Sequence, residues 1–198
     1  METFNPKNNE VRIFHEFSPK FHLDILLSVT VPAIPEAVTQ YELVRVTLSY
    51  QNVIESKLAT EVASALISRP SNHVDAKPNI ELNKQYNRLL SAEAMEKATE
   101  AGNSGNLELG RKLLQNAMNS IRESVSAKDE FCQSLLKDLA KCEEKLKDRD
   151  VYRNEGQMML NNNYNAHYMQ RSSNVNAPSQ AAYQTSSRMQ QQMMFKKF

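Results

Sequence analysis

Asn79-Ile-Glu-Leu-Asn-Lys-Gln-Tyr-Asn-Arg-Leu-Leu90 opens the stretch that decides the fold. From here to Lys147 the apolar residues recur at helical spacing, and three consecutive amphipathic helices are predicted. Asn79 supplies an N-cap, Leu82, Tyr86, Leu89, Leu90 and Ala94 share one helix face, and Gly102 is placed to end the helix as a C-cap. A second helix begins near Asn106. Its stripe is Leu107, Leu114, Ala117 and Ile121, with Gly110 offering close approach to the first helix. Ser126 and Asp129 resemble a capping box with Asp in place of Glu or Gln. Cys132, Leu135, Leu139, Cys142 and Leu146 follow at heptad spacing, as in a coiled coil. Connections this short favour antiparallel neighbours, hence a three-helix bundle or a helical hairpin plus one helix.

Ahead of the helices the period falls to two. Val11 to Phe17 is a short strand candidate, and Leu23, Ile25, Leu27, Val29 and Val31 alternate up to Pro32, the clearest strand pattern in the chain. Val44, Val46, Leu48 and Tyr50 alternate again. Gln51 to Ser56 would turn the chain and Leu58 to Ile67 would return it antiparallel, although Ala59, Ala63 and Ala65 are weak strand formers. Arg69-Pro70 ends that run. Residues 1–70 thus read as an antiparallel β region, 71–78 as a linker, 79–147 as a helical bundle and 148–198 as a disordered tail. The tail is rich in Asn, Gln and Met, with little apolar pattern. It reads as a spacer, or as a carrier of Tyr and Met-Phe stickers. The fold class is α+β: a small antiparallel sheet or half-sandwich, then helices.

Within 198 residues there is room for one ordinary domain. A formal net charge of +1 makes no field that would draw nucleic acid, an anionic membrane surface or acidic substrates, so no nucleic-acid partner is expected. No apolar run is long enough to span a bilayer, and no membrane partner is expected. Cys132 and Cys142, ten positions apart on one helix, would stand about 15 Å from each other, too far for a disulfide. Two unpaired thiols and no signal peptide fit a cytosolic, cytoplasmic protein.

Motifs for chemistry are missing. His15, His22, His73 and His167 are scattered without metal-site spacing, and His73 with Asp75 reads as surface linker before it reads as a ligand pair. Four glycines leave no phosphate loop and no nucleophile elbow. Gly102-Asn-Ser-Gly105 reads as a helix-ending turn ahead of an anion nest. The cysteines read as small apolar core residues, and Glu93, Glu96 and Glu100 as a solvated face. The helical hairpin from Tyr86 to Ile121 has the rhythm of a tetratricopeptide unit, but no second copy follows. No catalytic residue, cofactor or metal is assigned.

Taken together, Asp24-Ile-Leu-Leu-Ser-Val-Thr-Val-Pro32, Leu43-Val-Arg-Val-Thr-Leu-Ser-Tyr50, Leu66-Ile-Ser-Arg-Pro70, Asn87-Arg88 with Ala92-Glu-Ala-Met-Glu-Lys-Ala98, and Gly105-Asn-Leu-Glu with Leu113-Leu-Gln-Asn-Ala117 carry a resemblance. In this order, over residues 20–147, they resemble the accessory region that follows the von Willebrand factor A (VWA) domain in intracellular eukaryotic proteins, a VWA/hedgehog-intein-like region. The VWA metal motif D-x-S-x-S and the RING finger of some members are missing here, so no functional residue carries over. The resemblance implies the accessory region without the ligand-binding or catalytic modules, and the apolar strand faces with the missing chemistry point to a non-enzymatic protein-binding scaffold. In it the face of Leu23, Ile25, Leu27 and Val29 would dock a VWA-containing protein or a second copy of the chain. The alternatives are a non-catalytic substrate-binding component of a ubiquitin-ligase assembly, and a truncated VWA-protein fragment with no role of its own.

Overall fold

A computed structural model describes residues 2–5, 10–13, 24–52, 55–72, 77–172 and 178–183. The chain is an α+β fold and divides into two compact units, one of residues 1–26 with 78–198, the other of residues 27–77. By this division the described residues up to Leu26 group with the helices.

The smaller unit is a long antiparallel hairpin. Strand β3 (Val38–Asn52) pairs with β4 (Lys57–Arg69), with Val46 opposite Ala63, Leu48 opposite Glu61 and Tyr50 opposite Ala59. Alternation in β3 reads true because each step of two residues returns a side chain to the same face. Register shifts lie between Val38 and Tyr41 and between Glu42 and Val44, where a bulge re-aims the start of the strand. Arg69 closes the open end, its guanidinium donating to the Pro32 carbonyl at 2.7 Å and lying 5.0 Å from the Tyr41 ring centre.

In the larger unit, β1 (Glu2–Asn5) and β2 (Glu10–Ile13) form a second hairpin; Phe14 to Phe17 of the first strand candidate lie outside the described residues. The strand expected over Leu23–Val31 is not formed: residues 24–33 have no strand pairing. At Asp24 the backbone is engaged otherwise. Its N–H is bonded to the Gln170 side-chain oxygen at 2.9 Å and its carbonyl to the Gln170 amide nitrogen at 2.7 Å, so a side chain takes the two groups a neighbouring strand would use.

Among the described residues four main helices make the bundle, where three were expected. Helix α1 (Ile80–Asn103) is capped by Asn79, whose side chain accepts the Leu82 N–H. Helix α2 (Leu107–Glu123) is capped in the same way by Asn106, and α3 (Glu130–Lys145) by Asp129. Ser126 does not form the expected capping box; it is buried against Asn83 and Asn87 of α1. The α3 stripe of Cys132, Leu135, Leu139, Cys142 and Leu146 is wholly buried. Beyond it, where a disordered tail was expected, a short helix α4 (Arg149–Val151) passes through a π turn (Tyr152–Gly156) into α5 (Gln157–Met169), which lies along α1. Tyr152, Leu160, Ala166 and His167 bury enough surface to dock the segment that its Asn-rich composition conceals.

The face that α1 buries also differs from expectation. Leu82 and Tyr86 are exposed, and the inner face is Asn87, Arg88, Ser91, Ala92, Ala94, Met95, Ala98, Thr99, Ala101 and Gly102. Short side chains let neighbouring helices approach closely. At Gly110 of α2 a Cβ would stand 3.1 Å from the Ala98 carbonyl oxygen. Gly102 does not end α1. The helix runs on to Asn103 and turns at Ser104 and Gly105, the latter with φ +81°. Gly102 instead leaves the space that the Tyr152 ring fills. The Tyr152 hydroxyl lies 3.0 Å from the Thr99 carbonyl and 2.8 Å from Asn103 Oδ1, so one proton is shared between two α1 acceptors.

Two substitutions test this seam. Gly102→Ala puts a methyl group where the ring sits and is expected to lower stability by about 1–3 kcal/mol. Tyr152→Phe keeps the ring, loses the hydroxyl contacts and is expected to cost about 1 kcal/mol. Urea unfolding followed by circular dichroism measures both, and a Gly102→Ala variant as stable as the wild type would refute the docking of Tyr152 on α1.

Candidate functional site: the polar seam of the helical unit

Arg88 lies in the first half of α1 and is 1% exposed. Its Nε donates to Gln85 Oε1 at 2.7 Å, Nη1 to the His167 carbonyl at 2.7 Å and Nη2 to the Asp24 carbonyl at 3.0 Å. The rigid fork of a guanidinium suits acceptors that diverge in this way, whereas an ammonium does not. Burial pulls Arg88 below its ordinary pKa, with Tyr183 and Asp24 opposing that shift. The His167 carbonyl lies in the last turn of α5, where helix carbonyls lack intrahelical donors and a cation is favoured. Gln170 follows at φ +49° and grips Asp24 by both backbone groups. Gln85 adds a bond from Nε2 to Asp24 Oδ2 at 2.9 Å. One arginine thus joins α1, the end of α5 and residue 24.

A second polar group lines the seam between α3 and α5. The 3-10 turn Pro178–Tyr183 lies over it. Ser179 Oγ donates to the Asp138 carboxylate, Ser172 Oγ donates to Gln180 Oε1, and Gln180 Nε2 donates to Asn163 Oδ1 at 2.8 Å. Asn163 Nδ2 in turn donates to Cys142 Sγ at 3.3 Å. The Tyr183 hydroxyl is 3.1 Å from His167 Nδ1, and its ring stands edge-on to both Phe131 and His167. Burial pushes the Tyr183 phenol upward. His167 Nε2 is 3.5 Å from Asp138 Oδ2 and has no hydrogen-bond partner among the described residues.

Serine, histidine and aspartate therefore meet here, yet their wiring is not that of a nucleophile. A serine is activated by a histidine that takes its proton; Ser179 spends its proton on Asp138. Beside Arg88, in the first half of α1, Asn87 reaches Ser124, Ser126 and Cys132, and Asn83 accepts from both the N–H and the hydroxyl of Ser126. This third cluster fastens the α2–α3 connection.

Of the residues expected to form an interaction face, Ile25, Leu27 and Val29 are 52%, 44% and 45% exposed, on a segment without strand pairing, and Leu23 lies outside the described residues. Among the described residues no group of three or more His, Cys, Asp or Glu side chains is placed to hold a metal, and no helix is long and apolar enough to cross a membrane. The buried groups of the seam escaped the sequence reading because polar residues leave no mark on a hydropathy pattern. A signal did exist: Leu160, Asn163 and His167 recur at helical spacing inside the supposed tail.

Removing the guanidinium should be costly. Arg88→Met leaves the Gln85 and His167 oxygens without their donor while the Asp24 carbonyl keeps Gln170, and at about 1–3 kcal/mol for each buried unmet group a loss of roughly 2 kcal/mol or more is expected in urea unfolding. Arg88→Lys should recover only part of it. Burial also pushes the Cys142 thiol from 9.0 up to about 12, with Asn163 opposing the rise. Between those values the unfolded chain gives up a proton that the folded chain keeps. Stability from this group is therefore present below pH 9 and is lost as pH rises towards 12. Cys142→Ala should flatten that decline, and a thiol reagent at about pH 8, near the ordinary thiol pKa, should label Cys142 only after denaturation.

In comparisons with known proteins, residues 78–191 match the family described as CPSF6-like, RSLD domain, N-terminal region. No curated protein and no solved structure matches the chain. The match overturns the VWA resemblance and, with it, the expected VWA-containing partner. Segments such as Ala92-Glu-Ala-Met-Glu-Lys-Ala98 are amphipathic helix of a kind that unrelated folds share. The expectation of no nucleic-acid partner is likewise withdrawn, because the match points to an RNA-processing setting and net charge is blind to it. The match starts beside the N-cap of α1 and runs beyond the 3-10 turn, so the helices and the turn that closes their seam lie in one family region: this chain belongs to the CPSF6-like RSLD family.

Proposed function

We propose that the chain is a non-enzymatic, protein-docking module of an RNA-processing factor. The family match supports that setting. The observation that carries the docking role is the β3–β4 hairpin, which holds Val46, Leu48, Tyr50, Leu58, Val62 and Leu66 at 38–80% exposure. An isolated two-stranded ribbon is marginally stable in water, and apolar rows of this length mark surfaces that another protein covers. On one face the large Val46 and Tyr50 stand opposite the small Ala63 and Ala59, giving a stepped surface suited to interdigitation. Arg45, Lys57 and Arg69 are set against Glu42, Glu55 and Glu61 along the hairpin, a balance that favours a protein on this surface over a phosphate backbone. The two buried free thiols suit the nucleus as well as the cytosol.

Tagged full-length chain, purified from cells after RNase treatment, should retain RNA-processing proteins. Leu48→Lys with Tyr50→Lys should reduce their recovery about tenfold, as loss of a central apolar anchor does, while leaving the helical circular dichroism signal in place. Recovery that vanishes with RNase and ignores the hairpin substitutions would replace protein docking by RNA-mediated association.

A further inference from the structure

The turn Pro178–Tyr183 is held the way a short peptide ligand is held. Its side chains at three positions, Ser179, Gln180 and Tyr183, are each received by a side chain of the helices: Asp138 of α3, Asn163 of α5, and His167 of α5 with Phe131 of α3. Ser179 and Gln180 are 1% and 2% exposed, so these are enclosed recognition contacts. Peptide segments are recognised through such side-chain anchors at fixed spacing on a preformed helical groove. The occupant does not satisfy the groove fully. His167 is wholly buried, and its Nε2, which faces Asp138 Oδ2 at 3.5 Å, makes no hydrogen bond among the described residues, so a ligand that supplies one there fits better.

We propose that the α3–α5 groove is a receptor for a short segment of another protein carrying serine, glutamine and tyrosine at relative positions 0, +1 and +4. Residues 178–183 fill it in cis as an internal competitor. This rests on the docking role proposed above and adds a second surface to it. The internal segment is tethered close to the groove, so its effective concentration is of millimolar order, and a weak free peptide fails against it. A partner succeeds by supplying the same three anchors together with a group that meets His167 Nε2, or by also occupying the hairpin.

The probe is a fluorescent peptide of residues 176–186, titrated into full-length protein and followed by anisotropy. Full-length chain bearing Ser179→Ala, Gln180→Ala and Tyr183→Ala should bind it at least about tenfold more tightly than the wild type, since the competitor is removed. Adding Asp138→Ala should abolish that gain, and a scrambled peptide should not bind. A triple variant that keeps its helical circular dichroism signal and binds no peptide overturns the proposal. If that variant loses its helices, wild-type chain with millimolar peptide is read by NMR instead, where resonances of Asn163 and His167 must shift, and unmoved resonances overturn it. Leu48→Lys with Tyr50→Lys should leave peptide binding intact. Failure of the groove is thereby separable from failure of the hairpin.

Discussion

A buried cation held by neutral oxygens keeps the helical unit together. Arg88 donates to the end of α5, to the backbone of residue 24 and to its own neighbour Gln85. Such an arrangement tolerates burial because each bond is made to a charged donor, and charge-assisted bonds exceed neutral ones in strength. It also imposes geometry. The three acceptors must be present together before the guanidinium can leave water, so α5 and residue 24 are fixed relative to α1 by one requirement. Gln170 completes the arrangement by pairing its amide with the backbone of Asp24 as a strand would.

Around this node the core is built from small residues as much as from large ones. Ala92, Ala94, Ala98 and Ala101 line α1, and the bulk comes from Met95, Leu114, Ile121, Leu139, Leu146 and Leu160. Where α1 meets Tyr152 and α2 meets the Ala98 carbonyl, glycine is the residue that fits. Dense interiors respond to single methyl groups, and a bundle with so many short contacts has little room to relax. Two polar groups, Asn83 and Asn87 with Ser126 and Asn163 with Gln180, then fix the connections that hydrophobic burial leaves free.

Legibility in the sequence followed the physics of each element. The β3–β4 hairpin was readable because its two strands pair with each other, so the pattern and its partner lie side by side in the chain. Asn79 and Asn106 were readable as helix starts because capping is local. The Leu23–Val31 alternation misled, since period two states which way side chains point and not whether a neighbouring strand exists. Helix α1 was found, but its inner face was misassigned towards Leu82 and Tyr86, because the true face is polar and small. Helix α5 was hidden by Asn-rich composition, and the groove by the distance along the chain between Phe131, Asp138 and residues 163–183. The family resemblance drawn from short segments failed for a related reason: locally generic helices and strands do not identify a fold.

The π turn at residues 152–156 has a consequence for how this protein tolerates insertion and deletion. Its closing bond runs from the Gln157 N–H to the Tyr152 carbonyl, five residues apart, where an α-helix spans four. One surplus residue is therefore accommodated in the coil. Deleting it would let the coil close as a regular α-helix with the phase of α5 kept, whereas a deletion at residues 157–159, where no bulge absorbs it, would turn the rest of α5 by about 100°, the angle between successive residues of an α-helix. Leu160, Asn163 and His167 would swing away from their partners together. The phase of the helix, more than its length, is what that bulge preserves.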